Sequence, residues 1–236
     1  MAVNSVCAGA FSHEPPQVER AFTLLGQAAQ DDSDAVRACA IYELTRVLRF
    51  DEDRAVDIFV QAVDGRPRLR QEDVTHRFLS WVYPSHFAEI RPILVSLLHD
   101  PDPATREVGA MVVCLSGLSH PEAAGPLVAD VMAGGDALRA GAARIYARNL
   151  SNSRVHEVCL EGLLALLDDP ADTVRRRIGE CFQYLGPEHF ESLRAFIDRF
   201  IDSPSLISNP EHLIRYLGPL CRRAGDLALR IVNRIL

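Results

Sequence analysis

The chain has 236 residues, 48% of them apolar, and a formal net charge of −7 from 25 basic and 32 acidic side chains. That length can bury a sizeable core, and the acidic balance excludes a global positive field of the kind that draws proteins to nucleic acid or membranes. Every basic residue other than histidine is arginine, a bias expected of a GC-rich bacterial genome, and without a lysine the lysine-bearing phosphate loop of nucleotide-binding proteins is excluded.

Met1 to Ala10 carries neither a basic segment nor a long apolar run, so no signal peptide is expected. Residues 1–16 read as a partly disordered extension and residues 17–236 as one domain. The first predicted helix spans Val18–Gln30. Asp34 opens a second with apolar face Val36, Ala40, Leu44 and Val47, interrupted by Glu43. Arg54–Val63 follows, and Glu72 then opens a helix with Val74, Phe78, Trp81 and Val82. After His86–His99, Asp102 precedes Ala104, Val108, Met111, Val112 and Leu115. After Ala123–Met132, Asp136 precedes Leu138, Ala142, Ile145 and Tyr146. After Arg154–Leu167, Asp172 precedes Val174, Ile178, Cys181, Phe182 and Leu185. After His189–Ile201, Glu211 precedes Leu213, Leu217, Leu220 and Cys221. Asp226–Leu236 has the pattern of one more first helix. The apolar offsets lie on one side of a helix. Proline and glycine fall mostly between helices, as at Gly65–Pro67, Pro101 and Gly134–Gly135, where breakers belong. No strand pattern and no internal boundary are evident.

Two helices, A then B, therefore alternate. The acids opening the B helices are spaced by 38, 30, 34, 36 and 39 residues. A carboxylate there caps free N–H groups and suits the helix dipole. A base follows within a turn: Arg37, His76, Arg106, Arg139, Arg175 and Arg215. This pattern resembles the HEAT-repeat family, in particular the PBS-lyase/HEAT-like bacterial helical-repeat proteins. The resemblance implies an all-α, right-handed α-solenoid of about six two-helix repeats plus a partial seventh, with the B helices lining the concave face. It also implies a ladder between neighbouring repeats, carried here by Asp34 and Arg37, Asp102 and Arg106, Asp136 and Arg139, Asp172 and Arg175, and Glu211 and Arg215. Glu72 with His76, and Glu211, depart from the family's Asp/Arg pair.

Charge is unevenly shared. Taken as 34–48, 72–82, 103–118, 136–150, 171–185 and 210–223, the B segments carry 13 arginines against 9 acids; taken as 18–30, 53–64, 86–99, 122–132, 154–167 and 188–202, the A segments carry 6 against 13. The positions flanking the B-helix core hold Tyr42, Arg46, Arg77, Arg144, Arg148, Arg177, Tyr184, Tyr216 and Arg223, with Glu107 and Glu180 the acids among them. Arginine and tyrosine are interface residues, and a guanidinium suits carboxylate. One reading is a groove for an acidic peptide or protein surface. The competing reading is a solvated flank whose arginines pair with neighbouring acids.

Catalytic signatures are missing. The pairs His13–Glu14 and His156–Glu157 are similar to the metal-binding pairs of HEAT-like deoxyhypusine hydroxylase, but that family uses four. No metal-ligand spacing occurs, so neither metal nor cofactor is expected. Trp81 falls at a position that reads as core. None of the six cysteines forms a C-x-x-C pair, which points to a reducing, cytoplasmic setting, and no run is long enough to span a membrane. The expected function is a non-enzymatic interaction scaffold or recognition module, free-standing or the regulatory part of a larger bacterial assembly. The alternative is a nucleic-acid-binding HEAT-like protein resembling DNA glycosylases, or a HEAT-like lyase.

Overall fold

The computed structural model describes residues 15–220 and 224–235; Arg223, Cys7, Cys221 and the His13–Glu14 pair lie outside them. Regular structure among the described residues is helical throughout, with fifteen α-helices, short 3-10 turns and no strand. The chain divides into two compact units, one ending at His99 and the other starting at Asp100.

The first unit contains α1 (Pro15–Ala28), α2 (Asp34–Val47), α3 (Glu52–Val63), the single turn α4 (Pro67–Arg70), α5 (Asp73–Val82) and α6 (Phe87–Leu98). Asp51 caps α3 by accepting the Arg54 N–H at 3.0 Å. Gly65, at φ 63°, reverses the chain before α4, a conformation that costs glycine nothing. Phe22, Ile41, Phe59, Phe78 and Ile90 are fully buried, and the rings of Phe59 and Phe78 stack at 4.3 Å. Each such side chain contributes about 1.5–3 kcal/mol by leaving water.

The second unit contains α7 (Pro103–Ser119), α8 (Pro121–Ala133), α9 (Asp136–Asn149), α10 (His156–Leu166), α11 (Asp172–Gly179), α12 (Arg194–Asp202), α13 (Pro204–Ser208), α14 (Glu211–Leu217) and α15 (Gly225–Ile235). At its centre α9 packs against α7, α8, α10 and α11. Small residues permit this: a Cβ added at Gly141 would lie 2.4 Å from the Glu107 carbonyl and 2.8 Å from Ala110 Cβ. The α-helix expected to run from Asp172 to Leu185 stops at Gly179 and continues as a 3-10 turn, Glu180–Tyr184. Asn209 Nδ2 donates to the Arg176 carbonyl at 3.2 Å, claiming an acceptor the next helical turn would use.

The base a turn into five of the six B helices has a common task. Arg37 Nε donates to the Asp31 carbonyl at 2.5 Å, His76 Nε2 to that of Arg70 at 3.0 Å, Arg106 Nη1 to that of Asp100 at 2.7 Å, and Arg175 Nη1 to that of Asp169 at 2.7 Å. Arg139 reaches the Gly134 carbonyl. The side chain folds back over the preceding turn and satisfies carbonyls left free as the chain leaves the A helix. Three of these arginines also cross to the following hairpin: Arg37 to the Ala62 carbonyl at 3.0 Å, Arg139 to the Asp169 carboxylate, and Arg175 to Ser208 Oγ at 2.9 Å.

This differs from the ladder the resemblance implies, because the opening acids act elsewhere. Asp102 accepts the Thr105 N–H at 2.8 Å and Asp136 the Ala137 N–H at 2.8 Å. Asp34 pairs with Arg66 at 3.2 Å. Asp172 pairs with Arg176 at 2.7 Å and only weakly with Arg175, at 3.4 Å. Glu211 and Arg215 are both exposed, and Arg215 has no hydrogen-bond or ion-pair partner among the described residues. Asp102 and Asp136 are engaged by N–H groups of their own helices, and Asp34 and Asp172 mainly by other arginines, which leaves the base to find other acceptors.

Candidate interaction surfaces

In the first unit the flanking residues gather between α2 and α5. Cys39, Tyr42 and Arg46 recur at helical spacing on α2 and are exposed. They line an open cavity of about 440 Å³ with Ala38, Glu43 and Val74. Glu43, the acid that interrupts the apolar face, is 3% exposed. It is tolerable there because Arg46 Nη1 pairs with it at 3.3 Å. The Arg46 guanidinium also lies 5.5 Å from the Tyr42 ring centre, a cation–π contact.

On α5 the buried residues are Thr75, Phe78, Leu79 and Val82, a helical stripe one position later than the sequence suggests. That offset moves Trp81 off the core. It is 65% exposed, two turns beyond Val74 on the same side of the helix. Arg77 is exposed beside it and has no partner among the described residues. Val74, which lines the cavity with the 41%-exposed Tyr42 and Arg46, thus shares its side of α5 with Arg77 and the exposed tryptophan.

The second unit treats its candidates differently. Arg177 Nη2 lies 2.9 Å from Glu107 and its Nη1 2.8 Å from Glu180, while Arg144 lies 3.8 Å from Glu107. Three B helices are thereby stitched together by Glu107, so Arg144 and Arg177 serve neighbours rather than standing free. Tyr216 is buried; its hydroxyl donates to the Gly186 carbonyl at 3.3 Å and its ring sits 5.8 Å from Phe182. Burial pushes the Tyr216 phenol up to about 12. Arg148 is exposed without a partner among the described residues, and Tyr184 is exposed on the 3-10 turn. Arg223 lies outside the described residues.

Cys114, Cys159 and Cys181 are buried, and desolvation holds the first two thiols up at about 12 and Cys181 well above its usual value. His156 Nδ1 is engaged by the Leu150 carbonyl at 2.7 Å. Among the described residues no group of three His, Cys, Asp or Glu side chains could hold a metal, and no helix is long and apolar enough to cross a membrane.

The chain matches no family model, no curated protein and no solved structure. Sequence reasoning missed Trp81, whose displacement from the core follows from the phase of the buried stripe on α5. The signal available was Thr75, a polar residue that the stripe includes and an apolar template skips.

Proposed function

We propose that this chain is a non-enzymatic interaction module, a right-handed HEAT-like solenoid of about six two-helix repeats and a partial seventh, that binds an acidic peptide or protein surface. The observation that carries the reading is the α2/α5 face. Tyr42 lines an open cavity, Trp81 offers a large exposed ring on the same side of α5 as the lining residue Val74, and Arg77 has no hydrogen-bond or ion-pair partner among the described residues. Tryptophan, tyrosine and arginine are the residues on which binding energy concentrates. A carboxylate-bearing segment gains a bidentate partner in Arg77 and a stacking surface in Trp81.

Trp81 is the single tryptophan, so its fluorescence reports occupancy of the face directly. Synthetic peptides rich in Asp and Glu with one aromatic residue are titrated against the protein, and a saturable blue shift is expected that Arg77→Ala weakens about tenfold or more. The exposed tryptophan also keeps the nucleic-acid reading open, since bases stack on such rings. Single-stranded DNA is the control. Micromolar DNA binding with a steep salt slope, and no response to the peptides, overturns the proposal.

A further inference from the structure

A separate feature lies at α15. Its inner face, with Leu227 and Ile231, is buried. Its outer face is not: Leu229 is 69% exposed, Val232 50% and Ile235 44%, and Ile214 of α14 adds 50%. Between α14 and α15 runs an open apolar cavity of about 440 Å³, lined among others by Ile214, Leu217, Ala228, Val232 and Ile235. A continuous apolar surface of this kind marks a contact rather than a solvated face.

The spacing along α15 indicates what covers it. Gly225, Ala228, Val232 and Ile235 are separated by three, four and three residues, the a–d–a–d seam of a coiled coil. The seam is graded, with two small residues at its start and two large ones at its end. Two copies of α15 laid parallel would set small against small and leave a void. Laid antiparallel about Arg230, they set Gly225 against Ile235 and Ala228 against Val232 of the other copy, so that each layer is filled. The same register brings Asp226 near the other copy's Arg234, and opposes the two helix dipoles. The pattern is self-complementary, as a two-fold interface requires.

We infer that α15 and the α14/α15 cavity form a homodimer interface, occupied by α15 of a second copy running antiparallel. With eleven residues the helix is roughly 16 Å long, so a modest interface with a micromolar dissociation constant is expected.

Sedimentation equilibrium of the full chain over a range of concentrations tests this. A monomer–dimer equilibrium is expected. Val232→Asp raises its dissociation constant about a hundredfold by burying a charge in a layer. Leu229→Asp, at a side chain too exposed for the change to unfold the chain, also weakens the dimer, and circular dichroism verifies that both variants stay helical. Val232→Ala weakens it by opening a void, and Ala228→Val with Val232→Ala restores it by refilling the same layer. A chain that stays monomeric at every concentration, or a dimer indifferent to Val232→Asp and Leu229→Asp, overturns the inference without bearing on the α2/α5 face.

Discussion

The link between Arg139 and Asp169 offers the sharpest test of how the second unit is held together. Arg139 Nε meets Asp169 Oδ2 at 2.6 Å and Nη2 meets Oδ1 at 3.1 Å, a two-pronged pairing across thirty residues. The Asp169 side chain is 4% exposed and that of Arg139 19%. Asp169 also accepts the Ala171 N–H at 2.8 Å, so it fastens its own turn. Removing one partner of a fully buried pair costs about 3–5 kcal/mol. Arg139 retains some access to water, and the Gly134 carbonyl remains to it, so the lower end applies. Asp169→Ala is expected to cost about 3 kcal/mol, and Asp169→Asn, which keeps the shape and an acceptor for Ala171, about 2 kcal/mol. With a urea m-value of about 2 kcal/mol/M, the midpoint of the Asp169→Ala variant falls by about 1.5 M. The transition is followed by far-ultraviolet circular dichroism, because the single tryptophan lies in the other unit. Adding Arg139→Ala completes a double-mutant cycle, with a coupling energy of about 2 kcal/mol expected. A coupling near zero, or an Asp169→Ala midpoint within error of the parent, refutes the assignment of this pair as the fastening between hairpins.

Further outcomes follow from the same structure. Gly141→Val drives a side chain into the Glu107 carbonyl and Ala110, so calorimetry should show a loss of about 2–3 kcal/mol; even Gly141→Ala should lower the melting temperature, although alanine is the better helix former. Burial holds the His76 imidazole below its ordinary value of 6.5. Its folded form therefore binds protons less readily than its unfolded form, so this stability is present above that value and is lost as pH falls. His76→Gln, measured by urea denaturation between about pH 7.5 and 5, should flatten that slope; an unchanged slope removes His76 as its source. Trp81→Ala should change stability by less than about 0.5 kcal/mol, where a core tryptophan would cost about 3–5, and native emission should already resemble that of an exposed indole. Iodoacetamide applied to the native chain should modify Cys39 and spare Cys114, Cys159 and Cys181, as mass spectrometry of tryptic fragments will show.

The helices were legible because periodicity and breakers are local properties. Every predicted A and B segment has a helix at its place, from α1 to α15. Boundaries moved where a distant residue intervened, as Asn209 does at the end of α11. Side-chain roles were less legible. For Arg144 and Arg177 the sequence allowed either an open groove or pairing with neighbouring acids, and only the fold shows that Glu107, from a helix more than thirty residues earlier, lies within reach of both. Tyr216 shares the offset of Arg77 and Arg177, but α14 is short and lies against the 3-10 turn, which buries the ring. The bases of the B helices stand out in the sequence, but their acceptors are mostly backbone carbonyls, which have no signature in a sequence.

Those bases have an implication for how such a chain can change length. In four of the five cases the carbonyl lies six residues before the base, and in the fifth, Arg139, five. The clasp over each turn is thus encoded in one short stretch of gene, unlike the bonds that Arg37, Arg139 and Arg175 make to the following hairpin. A duplication that copies a complete hairpin copies its clasp with it and leaves the others closed. Deleting one codon between Asp100 and Arg106 would instead rotate the guanidinium about 100° around the helix and away from its carbonyl. Growth and loss by whole hairpins therefore preserve each clasp, whereas a one-residue change needs a different turn, as the five-residue spacing at Arg139 has.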